Sequence, residues 1–208
     1  MTMVTVEPIS LRERKQVATR RSIVDAAVRL FSEKGLDGPT IADITSTAGV
    51  GKGTIYNYFT SKEEILVAYI VGLEEEIQGR LTRFAEAGAP LERILAGLLR
   101  FHFRLKRPTY RFNRVFLSQL ILQADDLGEH IARMQEAIDP PLLALFGRLQ
   151  ERGLIHRSLD LRRAVLAFKQ VHFGLSCLWA MEGPPFRGAL RAVDEQMAMF
   201  ARWLERRP

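Results

Sequence analysis

Beyond residue 9, apolar residues in this chain recur three and four positions apart, and no segment alternates as a half-buried strand would require. That spacing restricts the chain to helices packed on helices. Ile23, Ala26, Ala27, Leu30 and Phe31 form one stripe, preceded by Ser10 and Glu13 at capping-box spacing and closed by Gly35. Pro39-Thr40 opens a short helix, Ile41 to Ala48, broken at Gly49-Val50, and a third helix is expected over 51 to 58. Ser61 with Glu64 starts a fourth, running to about Ala85. Leu91, Ile94, Leu95, Leu98, Phe101, His102 and Leu105 make the next stripe, stopped by Pro108, and Phe112, Val115, Phe116, Gln119 and Leu120 the one after. Residues 127 to 152 continue the pattern with a kink or break expected at Pro140-Pro141. Asp160 caps a helix to about Glu182, Gly183-Pro184-Pro185 ends it, and a last helix covers roughly 187 to 206. The expectation is an all-α fold of about nine helices, with residues 1 to 9 a flexible arm.

Composition narrows the function classes. A length of 208 residues accommodates one domain and a smaller second one, and 47% hydrophobic residues suffice for a packed core. Cys177 is the single cysteine, which excludes an internal disulfide and fits a reducing compartment. No apolar run approaches the roughly 20 residues of a membrane helix, and no signal peptide is legible, so a cytoplasmic chain with no membrane partner is expected. The formal charge of +6 permits a nucleic-acid partner without establishing one. Placement says more. Residues 12 to 21 carry Arg12, Arg14, Lys15, Arg20 and Arg21 against one acid, Glu13, a pattern that follows a phosphate backbone or serves as a solvated face.

The stretch AGVGKGTIYNYF, residues 48 to 59, has two readings. As a phosphate loop it fails: Ser46 stands where the first glycine belongs, Gly53 follows Lys52 where Ser or Thr is needed, and a helix precedes it rather than a strand. As a helix-turn-helix it fits. Gly49 makes the turn, Val50 and Ile55 pack the second helix on the first, and Lys52, Thr54, Tyr56 and Asn57 face outward toward a major groove. Lysine suits guanine O6 and N7, asparagine suits adenine, and the hydroxyls reach phosphates.

The run from Arg20 to Leu66 carries AA-x-x-LF-x-x-x-G, then T-I-x-x-I, then AGV-x-x-GT-I-Y-x-Y-F-x-S-K-E-x-L. It resembles the N-terminal domain of the TetR family of bacterial transcriptional regulators. The resemblance implies that Lys52, Thr54, Tyr56 and Tyr58 face DNA, that Lys62 meets a phosphate, and that Thr40 touches the backbone at the head of the second helix. It implies residues 1–60 as an arm and helix-turn-helix domain, and 61–208 as a helical effector-binding and dimerisation domain. Gly51 departs from the family, where a small polar residue is common, and is a weaker cap by a few tenths of a kcal/mol.

Beyond that run the residues speak for themselves. In 160–182, Leu161, Val165, Phe168, His172, Leu175 and Trp179 share one side, while Ala164, Ala167, Val171, Gly174 and Leu178 make a neighbouring, mostly small one. The last helix carries Val193, Met197 and Phe200. Such wide apolar arcs need cover on two flanks, which predicts a homodimer pairing these two helices as a four-helix bundle. The candidate interface is Ala164, Ala167, Val171, Gly174, Leu178, Val193, Met197 and Phe200. Two copies would place their DNA-reading helices on a near-palindromic double-stranded operator.

Phe101, His102, Leu105, Phe112, Phe116, Gln119, Met134, Phe168 and His172 lie on inward stripes and make a candidate effector cavity, apolar with a few polar groups. The competing reading is that the histidines and aromatics are satisfied core. No metal site is expected, since no cysteine or carboxylate stands at matching spacing beside His102 or His172. Arg100, Arg104, Lys106, Arg107, Arg111 and Arg114 form a run without an acid, read as a solvated face or as a rim for an anionic effector such as an acyl thioester. The reading is a ligand-responsive DNA-binding repressor, without cofactor and not an enzyme. The alternative is a sequence-specific DNA-binding protein with no small-molecule effector, whose cavity would be filled by side chains.

Overall fold

The computed structural model describes residues 10–86, 88–122 and 128–206, with the backbone alone at helical positions 74, 75, 78, 81, 82, 84, 85, 119, 121, 122, 128–131, 133 and 134. Nine α-helices, one 3₁₀ turn and no strand occur among the described residues. α1 (Leu11–Lys34) begins at the capping box: Ser10 Oγ accepts from Glu13 N at 3.2 Å and Glu13 Oε2 accepts from Ser10 N at 2.8 Å. α2 (Ile41–Ala48) repeats the device, with Thr40 N donating to Asp43 Oδ2 at 2.8 Å and Asp43 N to Thr40 Oγ1 at 3.1 Å. α3 is Lys52–Ile55, four residues rather than the expected 51 to 58. The chain past Ile55 tightens into turns, with Tyr58 N and Phe59 N both donating to Ile55 O at 2.9 Å.

α4 (Lys62–Glu86), α5 (Leu91–Lys106), the 3₁₀ turn Arg107–Thr109 and α6 (Tyr110–Leu122) follow near the expected boundaries. α7 (Gly128–Glu151) runs without interruption through Pro140 and Pro141, against the expected break. Its buried Leu142, Leu145, Phe146 and Leu149 lie just beyond the prolines, and this packing holds the helix despite two missing amide donors. α8 (Leu161–Glu182) is capped by Asp160, whose Oδ1 accepts from Arg162 N at 2.8 Å. Contrary to the sequence expectation, α8 is by length and composition apolar enough to cross a membrane, though it packs against α6, α7 and α9. α9 (Arg187–Glu205) starts against Glu182, whose two carboxylate oxygens accept from Gly188 N at 2.8 Å and Ala189 N at 2.6 Å.

Two cores result. The first joins Ile23, Ala27, Phe31, Ile44, Ile55 and Phe59 to Ile65, Leu66 and Ile70 of α4 and to Phe112 and Phe116 of α6. The second is built from α5, α7, α8 and α9 around Leu95, Phe146, Trp179, Met197 and Leu204. α4 and α6 therefore cross the division expected at residue 60. Arg100 of α5 binds the Asp194 carboxylate and donates to Leu190 O at 3.2 Å, tying α5 to α9.

Candidate functional site

The first site is the surface around α3. Gly49 ends α2 in the left-handed region, φ 69° and ψ 31°, where a side chain would be strained. Its N–H reaches back to α2, and Val50 N donates to Thr45 O at 3.0 Å, so the turn is fixed by backbone bonds. Ile55 beneath it is fully buried, which sets the roll of α3. Lys52, Tyr56 and Asn57 are exposed, Tyr56 at 54%, while Thr54 and Tyr58 are half-buried. Gly51 makes no side-chain cap. Tyr58 closes a groove with Leu11, Arg12, Lys15, Gln16 and Thr19 of α1, which brings the basic start of α1 beside the α3 turn. Arg20 instead lies over the Phe59 ring at 5.2 Å.

Two of the expected contacts already have structural work. The Thr40 hydroxyl is engaged with Asp43, and hydrogen bonds from Thr40 hold the Asp43 carboxyl below its usual range. Lys62 Nζ donates to Leu36 O at 3.1 Å, fastening the start of α4 to the end of α1. The face thus presents exposed donors and hydroxyls on a short rod set by a rigid turn, the geometry a major groove accepts.

The second site is a cavity of about 370 Å³ lined by α4, α5, α6, α7 and α8 and open to solvent on one side. Its walls include Leu98, Leu99, Phe116, Leu120, Leu142 and Phe168, with His102, Lys106, Gln135, Lys169, His172 and Ser176 as polar members. Of the residues expected there, His102, Phe116, Phe168 and His172 line it. Phe101, Leu105 and Phe112 do not. Phe101 is buried beneath Arg80 and Arg104 at 4.6 and 5.7 Å, and Leu105 packs on the second core. Phe112 sits in the first core against Tyr69, ring centroids 4.9 Å apart. The side chains of Gln119 and Met134 lie outside the described residues.

The His102 and His172 rings stack at 4.5 Å. Burial, with Lys106 nearby, pushes both pKa values down, that of His172 to about 3, so both are neutral at pH 7. His172 Nε2 lies 3.3 Å from Ser176 Oγ. The cations of the cavity are Lys106 and Lys169 rather than the arginines of the basic run, since Arg100 is bound to Asp194 and Arg104 lies on Phe101. Lys106 belongs to that run, and Lys169 lies outside every expected site residue. Its sequence signal was available: it is the lone charge between Ala164 and Met181.

The candidate dimer surface needs correction. Ala164, Val193, Met197 and Phe200 are buried in their own subunit, because the start of the small flank of α8 and this face of α9 pack into the second core. Ala167 and Val171 are half-buried, and Gly174 and Leu178 are exposed. The large apolar residues that these two helices expose are Leu178, which was expected, with Leu166, Phe173 and Met181 of α8 and Met199 and Trp203 of α9, which lie outside the expected set.

The family model for bacterial regulatory proteins of the tetR family matches residues 23–69. The fatty acid metabolism regulator protein of Bacillus subtilis (strain 168) is 32% identical over 155 residues, 73% of this chain and 76% of that protein. The probable HTH-type transcriptional regulator ArpR of Pseudomonas putida is 30% identical over 171 residues, 78% of this chain and 80% of that one. The crystal structure of a transcriptional regulator FadR from Bacillus subtilis in complex with stearoyl-CoA superposes with a TM-score of 0.72 at 23% identity, over 87% of this chain and 97% of that chain.

Proposed function

The chain belongs to the tetR family of bacterial regulatory proteins, and from that premise we propose that it is a cytoplasmic repressor released from its operator by a small amphipathic effector. Residues 1–60 read DNA through Lys52, Thr54, Tyr56, Asn57 and Tyr58, with Thr40 and Lys62 at the flanking phosphates. Residues 61–208 bind the effector and a second copy. The observation that carries the effector is the cavity of about 370 Å³, within the range of small-molecule sites and apolar along most of its wall. A regulator with no effector would fill such a space with side chains. Phe116 belongs both to that wall and to the first core, so an occupant presses on the helices that carry the DNA-reading turn.

An effector with an apolar chain and an acidic head suits walls of leucine and phenylalanine that end in lysines. The stearoyl-CoA held by the Bacillus subtilis FadR is a molecule of that kind. Its binding would favour a dimer with mis-spaced reading helices and so lower operator affinity by differential binding. The test begins with an operator enriched by the purified protein from random duplexes. Tyr56→Ala and Lys52→Ala should abolish its gel shift while size-exclusion elution stays unchanged, and wild-type affinity should fall steeply with salt. Retention of the shift in both variants would remove α3 from the groove.

A further inference from the structure

Lys169 is the least explained charge in the protein. It is the only charged residue from Ala164 to Met181, in the one helix among the described residues that is long and apolar enough to cross a membrane. Its stem lines the cavity and its Nζ donates to Asp139 Oδ1 of α7 at 2.5 Å. The two side chains are 23% and 40% exposed. Lys169 shares the cavity wall with exposed Gln135 of α7 and with Phe173 of α8, which is 43% exposed, so this part of the wall faces solvent. Deeper wall residues are Leu98, Leu99, Leu142 and Phe168, all buried. An amphiphile therefore enters with its chain inward and its head at this rim. A lysine whose side chain is mostly buried holds an anion at contact distance, and the present occupant of that place is the Asp139 carboxylate.

Resting on the effector reading above, we propose that Lys169 is the anion anchor of the effector, and that Asp139 is its internal stand-in, displaced when the effector's acidic group arrives. The exchange moves one ion-pair partner from α7 to the ligand, so occupancy loosens the α7–α8 seam. The acidic group is a carboxylate or a phosphate, and the same chemistry serves a free fatty acid or an acyl thioester of a phosphorylated carrier. Lys106, beside the two imidazoles, is the rival anchor.

The full-length protein, free of DNA, is titrated calorimetrically with dodecanoate, dodecanoyl-CoA and uncharged dodecanol. The wild type should bind at least one anionic probe more tightly than dodecanol. Lys169→Met should weaken that probe about tenfold or more and leave dodecanol nearly unchanged, with Lys169→Arg retaining most of the affinity. Asp139→Asn should act in the opposite direction, tightening the anionic probe about two- to fivefold by removing its competitor. A purely structural ion pair would not give opposite signs. Whichever anionic probe loses affinity in Lys169→Met identifies the source. The proposal is overturned if Lys169→Met binds that probe like wild type, if Asp139→Asn weakens it, or if anionic probes bind no better than dodecanol. Thermal melts establish that each variant folds. Operator retention is scored separately by gel shift, so loss of this anchor and loss of the repressor reading are separate results.

Discussion

His102 and His172 stack on one another in the cavity wall, and burial determines what they do. An imidazole whose pKa falls on folding binds its proton more readily in the unfolded chain. Between the folded and unfolded pKa values the unfolded state holds more protons, so stability rises with pH across that window and levels off above about 6.5. For His172 the window reaches down to about 3. Each such group removes about 1.4 kcal/mol of stability per pH unit on acidification below 6.5. Urea melts from pH 7.5 to pH 5 should show stability lost on the acidic side, and His102→Leu with His172→Leu should flatten that dependence. A slope unchanged in the double variant would mean that other groups carry it. Lys169 was harder to recognise because a single lysine in an apolar helix does not reveal whether it faces a carboxylate, a cavity or water.

Helix starts and stops were the most legible elements, because a cap is a bargain between residues three apart. The box expected at Ser10–Glu13 appears with both reciprocal bonds; at Ser61–Glu64 the serine accepts from Glu64 N at 3.2 Å while the Glu64 carboxylate accepts from Thr60 N at 2.6 Å; and Thr40–Asp43 forms a full box where only a helix start was expected. α3 was misjudged in length since its end depends on how Phe59 turns into the first core, a contact distant in sequence from its partners. The prolines of α7 misled for the same reason: propensity argues for a break, and packing on either side overrides it. The turn between α2 and α3 offers a test with two signs. Gly49→Ala places a side chain at φ 69° and should destabilise the protein by about 1–2 kcal/mol. Gly51→Ser, at an ordinary φ of −68° with Thr54 Oγ1 3.4 Å from the new Cβ, supplies the missing cap and should stabilise by a few tenths of a kcal/mol. Chemical denaturation of the two variants distinguishes a turn set by glycine conformation from one that tolerates any small residue.

At the scale of the whole molecule, periodicity told which residues share a face but not which face looks inward. α8 and α9 each carry apolar residues around more than half their circumference, so the sequence left their roll open, and the interface residues chosen from it fell partly on the buried side. The outward faces instead hold Leu166, Phe173, Leu178, Met181, Met199 and Trp203. Their exposure in one copy leaves an apolar surface that a second copy, related by a twofold axis, would cover with the same residues. The four-residue α3, with Tyr56 just beyond it 54% exposed, offers few groove contacts on its own, so useful affinity is expected to need two reading helices tethered together. Met181→Glu with Met199→Glu places carboxylates on that surface in both copies, at side chains 79% and 58% exposed in their own subunit. Light scattering should then report a monomer with wild-type helix content, and operator affinity should fall by about 10²-fold or more, as expected when avidity is lost. A variant that stays dimeric would move the interface off α8 and α9. A monomer that still binds its operator with full affinity would mean that one reading helix, with the basic start of α1 beside it, is enough.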